Sequence, residues 1–197
     1  MTIDVKRGNE LGEEYRTAIA EVYIDGFGEH LEYFSKDRRK LVAAFEHMLV
    51  LDLFHVALVD GRPAAIAACT DGVQLSTRHD VRVLRRHLGL LKGTVADVGF
   101  RREFKKPWAQ AEPGTASIEF VATGSAHRGR GVATALLQHM LAFPQFSTYV
   151  LEDIADTNAP ALHLYEKLGF RESKRTKVRH TKRTGINAYI SMRLSQA

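Results

Sequence analysis

Between His127 and Leu137 the chain reads HRGRGVATALL, two arginines and two glycines directly ahead of an apolar helical run. Backbone N–H groups at such a helix start can face an anion, and the helix dipole adds to the attraction. Gly131 lacks a Cβ and permits close approach, while Ala133 keeps the next turn thin. Arg128 and Arg130 place positive charge around the same spot. A pyrophosphate therefore fits the loop chemically. A Walker A loop does not, because Val132-Ala133 stands where Lys-Ser/Thr is required. A dinucleotide fingerprint comes closer, since Gly129 and Gly131 follow a strand and Glu152 lies about 20 residues downstream. Thr134 takes its third small position, however, and too little chain remains for a dinucleotide domain. An RGRG nucleic-acid tail is disfavoured, because the motif is embedded between regular elements and is not repeated.

The flanking segments supply the elements that would hold this loop. ASIEFVAT reads as the strand entering it, and Val132, Leu136, Leu137, Met140 and Leu141 mark the following helix, stopped by Pro144. STYVLEDI is a strand again. NAPALHLYEKLGF is a short helix, with Asn158 or Thr157 as cap, Pro160 in the first turn and Gly169 at the left-handed end. INAYISMRL alternates as a closing strand.

Upstream, IDVKRG predicts an opening strand, followed by helices over about 13–28 and 35–51. FHVALVDGRPAAIAACT predicts a hairpin turning at Asp60-Gly61. The stretch from Gly72 to Gly114 is too helical and periodic to be a linker. Ser76 and Thr77 can cap a helix striped by Val81, Leu84, Leu88 and Leu91, and a second helix ends before Pro107. The predicted order is βααββ, helical insert, βαβαβ and a last strand or hairpin. This is a mixed α/β fold in a single domain over residues 1–197.

Composition bounds the partners. Hydrophobic residues at 45% and charged residues at 26% are ordinary for a globular domain. No secretory h-region or bilayer-length apolar run is visible, so no membrane partner is expected. Cys69 is the only cysteine; it fits a reducing cytoplasm and reads as a small buried hydrophobe. The net charge of +5 favours anionic partners, with basic residues crowded at 78–106 and 171–183. Glu10, Glu13, Glu14, Glu21, Asp25, Glu29 and Glu32 make the first helical segment acidic instead. The nine histidines lack metal-ligand spacing, so no metal is expected.

VATGSAHRGRGVATALL followed by NAPALHLYEKLGF resembles the paired motifs of the GCN5-related N-acetyltransferases. Arg128, Gly131 and Ala133 match that family's acyl-CoA loop. Asn158, Ala161, Tyr165, Gly169 and Phe170 match its second motif. The resemblance covers about Ser117 to Phe170 closely, and the N-terminal element order agrees with it. The helical insert departs from compact members, which connect these central strands briefly.

The resemblance implies acetyl-CoA as co-substrate and direct attack of an amine, small molecule or peptide, on its thioester. Arg128, Gly129, Arg130, Gly131, Val132 and Ala133 would carry the pyrophosphate, mainly through N–H donation. Val121 and Thr123 would make main-chain contacts to the pantetheine arm, and Asn158 would bond it or cap its helix. Tyr165 is the candidate thiolate donor, its other reading being a core tyrosine. Glu119 is the candidate base; a solvent-facing strand glutamate is the other reading. The acidic first helix suggests a cationic acceptor such as a polyamine or aminoglycoside. The insert, ending near Trp108, would form a lid over the acceptor or a homodimer surface. A non-catalytic acyl-CoA sensor, or a protein N-acetyltransferase working beside RNA through its basic 171–183 segment, are the alternatives; nucleic acid is not the expected partner.

Overall fold

In the computed structural model, which describes residues 1–104, 112–178 and 185–196, the chain opens with β1 (Ile3–Arg7) and one turn of helix, α1 (Gly8–Leu11). Helices α2 (Arg16–Leu31) and α3 (Arg38–Phe45) lead into β2 (Phe54–Val59) and β3 (Arg62–Thr70). The insert forms α4 (Val81–Leu88) and α5 (Leu90–Phe104). Then come β4 (Thr115–Thr123), α6 (Val132–Leu141), β5 (Thr148–Ala155), α7 (Ala159–Lys167), β6 (Arg171–Lys177) and β7 (Ala188–Ser195). The strands make one sheet in the order β1-β2-β3-β4-β5-β7-β6. Every neighbouring pair is antiparallel except β4 with β5.

The central strands are buried on both faces, which explains their continuous apolar runs. Phe54, Ile66 and Ala122 face a core completed by Ile19, Phe45 and Leu84 from α2, α3 and α4. Ala67, Tyr149 and Met192 face the other core, with Leu136 and Met140 of α6 and Tyr165 of α7. At Asp60-Gly61 both residues take positive φ, 50° and 80°, the backbone that suits a tight hairpin.

Three expectations need correction. The second helix is shorter than 35–51: after Phe45 it tightens into a 3₁₀ turn, Glu46–Met48. Arg16 takes the carbonyls of Glu46 and Leu49 there, at 3.0 and 2.8 Å, tying that end to the start of α2. The insert stripe is broken at Gly89, whose φ of 85° ends α4 and reverses the chain. Leu84 and Leu88 are buried as expected, but Leu91 is 78% exposed and Ala96, Asp97 and Phe100 form the inner face of α5. Asp80, not Ser76 or Thr77, caps α4 by accepting from Arg82 N at 2.7 Å. The open choice at the C-terminal end resolves as two strands, with the basic residues of β6 exposed along a sheet edge. Residues 179–183 of the basic stretch, and Trp108, lie outside the described residues.

Among the described residues no helix is long and apolar enough to cross a membrane. Cys69 is buried, and burial pushes its thiol up to about 12, unsuited to nucleophilic work.

His55 on β2 is buried with its ring 4.9 Å from that of Phe143 and 6.1 Å from that of His139. Burial holds its imidazole down to about 4, against an ordinary 6.5. Unfolded chains therefore bind this proton first as pH falls from 6.5 towards 4, and the fold loses stability across that window. Thermal melts at pH 7 and pH 5 are expected to show a smaller acid loss for His55→Phe than for the wild type. Equal losses would remove His55 as their source.

Candidate active site

Strands β4 and β5 pair only from Thr115 to Ser117 against Thr148 to Val150. Beyond that point each strand carries a bulge. On β4, Ala68 faces Glu119 but Ile66 faces Ala122, so an extra residue is fitted in, and Phe120 takes a φ of 52°. On β5, Leu151 faces Met192 but Ile154 faces Ile190, and Asp153 takes a φ of 53°. Bulges sharpen the local twist and end regular pairing. The two strands part, opening a cavity of about 820 Å³ lined by both of them, by α2 and α7, and by the segment leading into α4.

At the outer end of β4, Ser125–His127 forms a 3₁₀ turn and Gly129 and Gly131 adopt left-handed φ values of 71° and 77°. Gly131 caps α6 without a side chain, and Ala135 N closes the first turn on its carbonyl at 3.0 Å. The N–H groups of Val132, Ala133 and Thr134 lie in that first turn, where no intrahelical acceptor exists. A Cβ placed at Gly129 or Gly131 would meet nothing within 4 Å, so these glycines serve the backbone turn and leave its outer side open. Such a turn suits an anion on geometric grounds.

The two arginines of the loop do different things. Arg128 donates to Asp25 O at 2.7 Å and Thr123 O at 3.3 Å, so its side chain pins the loop to α2 and β4. Arg130 is exposed, with only a 3.5 Å contact to Ala126 O. Thr123 gives its carbonyl to Arg128, and of the two β4 residues Val121 lines the cavity and Thr123 does not.

Asp25, which the sequence offers only as one acid of the first helix, is the loop's main anchor. Its Oδ2 accepts from Ser125 N at 3.1 Å, and its Oδ1 accepts from Arg38 Nε and Nη2 at 3.1 and 2.9 Å. Its partners stand 13, 100 and 103 residues away, so no local pattern could reveal it. The acidic first helix is correspondingly less available than expected. Glu13 pairs with Arg16, Glu21 and Asp25 with Arg38, and Glu29 and Glu32 do not line the cavity. That helix presents Tyr23, Phe27, His30 and Leu31 instead.

Asn158, Tyr165 and Glu119 all line the same cavity. Asn158 caps α7 by accepting from Ala161 N at 3.3 Å, which leaves its amide N–H groups to donate elsewhere. Tyr165 is 5% exposed, its ring 6.1 Å from that of Phe170, and burial pushes its phenol well above the ordinary range. It keeps its proton throughout the neutral range and can only donate or accept as O–H. Glu119 is half-buried and accepts hydrogen bonds from Ser76 Oγ and from Thr70 Oγ1, the latter at 3.3 Å. Ser76, expected as a helix cap, is thus a partner of the carboxylate. Its own carbonyl takes Val50 N at 3.0 Å, and Arg78 N bonds Met48 O at 2.8 Å, seating this segment on the end of the second helix. Among the described residues no group of three or more His, Cys, Asp or Glu side chains could hold a metal ion.

The model of the acetyltransferase (GNAT) family matches residues 16–170. No curated protein sequence matches the chain. Among solved structures, PH1933 from Pyrococcus horikoshii OT3 superposes with a TM-score of 0.61 at 17% identity, covering 100% of this chain and 99% of that one. The ribosomal-protein-S18-alanine N-acetyltransferase from Escherichia coli gives 0.57 at 17% identity, with 100% and 95% covered. The protein yncA from Salmonella typhimurium, solved with its cofactor acetyl-CoA, gives 0.57 at 15% identity, with 100% and 95% covered. These likenesses are of fold.

Asp25→Ala is expected to weaken coenzyme A binding about tenfold by releasing the loop, read by calorimetry. Ser76→Ala is expected to lower kcat about tenfold while leaving that affinity unchanged, since it frees only the Glu119 carboxylate. A variant Ser76→Thr that restores kcat would tie the loss to the hydroxyl.

Proposed function

The chain belongs to the acetyltransferase (GNAT) family, and from that premise we propose that it moves an acetyl group from acetyl-CoA directly onto an amine, with Glu119 as base and Tyr165 as acid. The observation that carries this reading is a single cavity, opened where β4 leaves β5, lined by a hydroxyl-held carboxylate and a buried phenol. Bound acetyl-CoA would supply the activated acyl group, its thioester.

An alkylamine with a pKa near ~10 arrives protonated at neutral pH and must lose a proton before it can attack. Glu119, held by Ser76 and Thr70, takes that proton, directly or through one water. The new N–C bond forms as the C–S bond breaks, the acylated nitrogen gives up its second proton to solvent, and the departing sulfur carries negative charge. Tyr165 donates its O–H to that sulfur and recovers a proton from solvent. Gly129, Arg130, Gly131, Val132 and Ala133 bind the pyrophosphate through the turn and the first N–H groups of α6, with Arg128 bracing the turn from behind. Val121 and the Nδ2 of Asn158 bond the pantetheine arm from the two sides of the opening.

Tyr165→Phe keeps the ring and removes the proton. It is expected to lower kcat about 100-fold with acetyl-CoA affinity unchanged, measured by thiol release and calorimetry. Unchanged turnover would rule Tyr165 out as the acid.

A further inference from the structure

The strap from Ser76 to Asp80 meets the cavity at one end and the helical insert at the other. It runs along residues 47–50: Val50 N bonds Ser76 O at 3.0 Å, Thr77 bridges Leu49 antiparallel, and Arg78 N bonds Met48 O at 2.8 Å. At its far end Asp80 N donates to His47 Nε2 at 3.0 Å. The Ser76 hydroxyl holds Glu119. Three residues on, His79 meets the inner face of α5. Its Nε2 lies 3.1 Å from Asp97 Oδ1, and its ring centroid lies 6.1 Å from that of Phe100. The two polar side chains are only 9% and 10% exposed.

A carboxylate is an expensive choice for that face, which Ala96 and Phe100 otherwise make apolar. Arg101, one turn on, donates to Asp97 Oδ2 at 2.8 Å and holds its carboxyl below the ordinary range, so the group is an anion at neutral pH. That partner is local and half exposed, and a carboxylate on the outer face could meet it equally well. The inward placement serves Oδ1. This oxygen is shut off from solvent and, among the described residues, has no hydrogen-bond donor in line with it. The imidazole 3.1 Å away is what answers its charge.

Resting on the transferase reading, we propose that Asp97 and His79 are positioning residues for the reaction: their contact clamps the strap to α5 and so keeps the Ser76 hydroxyl on Glu119. Apolar packing, such as that of Phe100 on Phe45 with ring centroids 5.5 Å apart, holds the insert in place without fixing a direction. A buried polar pair adds little to stability over apolar packing, but it selects one arrangement of the elements it joins. Here those elements are the insert and the strap. With His79 fixed, the strap cannot slip along residues 48–50, and Ser76 stays where it meets the carboxylate.

The test is a double-mutant cycle on the full chain, with acetyl-CoA and whichever of spermidine, phenethylamine and lysinamide the wild type acetylates. Asp97→Ala removes the contact and leaves Arg101 in solvent; His79→Phe removes it and keeps a ring against Phe100. Each is expected to lower kcat about fivefold with coenzyme A affinity unchanged. In a Ser76→Ala background neither is expected to lower kcat further, because the hydroxyl they position is already gone. His79→Gln can return an N–H to the place of Nε2, and its kcat is expected within about twofold of wild type. Exchange of the Val50 and Arg78 amides is expected to be about tenfold faster in Asp97→Ala. An undiminished loss in the Ser76→Ala background overturns the proposal, as does an unchanged kcat in both single variants. Unchanged amide exchange overturns the clamp. No transfer by the wild type to any of the three amines overturns the transferase reading instead, and the clamp is then decided by amide exchange alone.

Discussion

Two parallel strands that begin as hydrogen-bonded neighbours and then separate are the constraint on which the structure turns. Separation ends the ladder between β4 and β5 after Ser117 and Val150, so backbone polar groups beyond it need partners other than the neighbouring strand. The chain enforces the parting with two non-glycine residues, Phe120 and Asp153, held in left-handed backbone. Such conformations cost about 1–3 kcal/mol each and persist only where the surroundings over-determine them. At Phe120 the surroundings are visible: rings of Tyr23, Phe27 and Phe54 stand around it. Strain and cavity are thus two aspects of one packing arrangement.

What keeps the opening in register with the Gly129–Gly131 turn is α2. A Cβ at Gly26 would lie 2.6 Å from that of Ala122, so the helix rests directly on β4 at a position that admits no side chain. One residue earlier, Asp25 binds the turn that follows β4 and the arginine that starts α3. Close approach and polar anchoring at adjacent positions place the loop relative to the strand. The opposite bank is set by α7, whose entry is governed by Asn158 and whose exit is governed by Gly169 at a φ of 98°.

The backbone of the glycine turn and of α7 is legible in the sequence because its signals are local. Gly129, Gly131, Asn158, Pro160 and Gly169 each report a backbone requirement within one turn of chain, and each occupies the place its type suggests. The pairing of Arg128 with Asp25 and of Ser76 with Glu119 is not legible, because sequence separation hides the contact. Ser76 illustrates a further limit: it and Asp80 are both capping types four positions apart, and spacing alone cannot choose between them. Leu91 fails for another reason. Helical periodicity passes through Gly89 as if the helix continued, since a glycine costs a helix only about 1 kcal/mol, whereas here it turns the chain back.

The contact between Ser76 and Glu119 has a consequence for how such a scaffold could be altered. The segment that most distinguishes this chain from a compact relative also holds the carboxylate that would do its chemistry. Grafting a different insert onto the sheet would therefore change reactivity together with whatever it changes in recognition. Only a graft that returns a hydroxyl to the same spot would separate the two, which makes residue 76 a junction that recombination or redesign must respect.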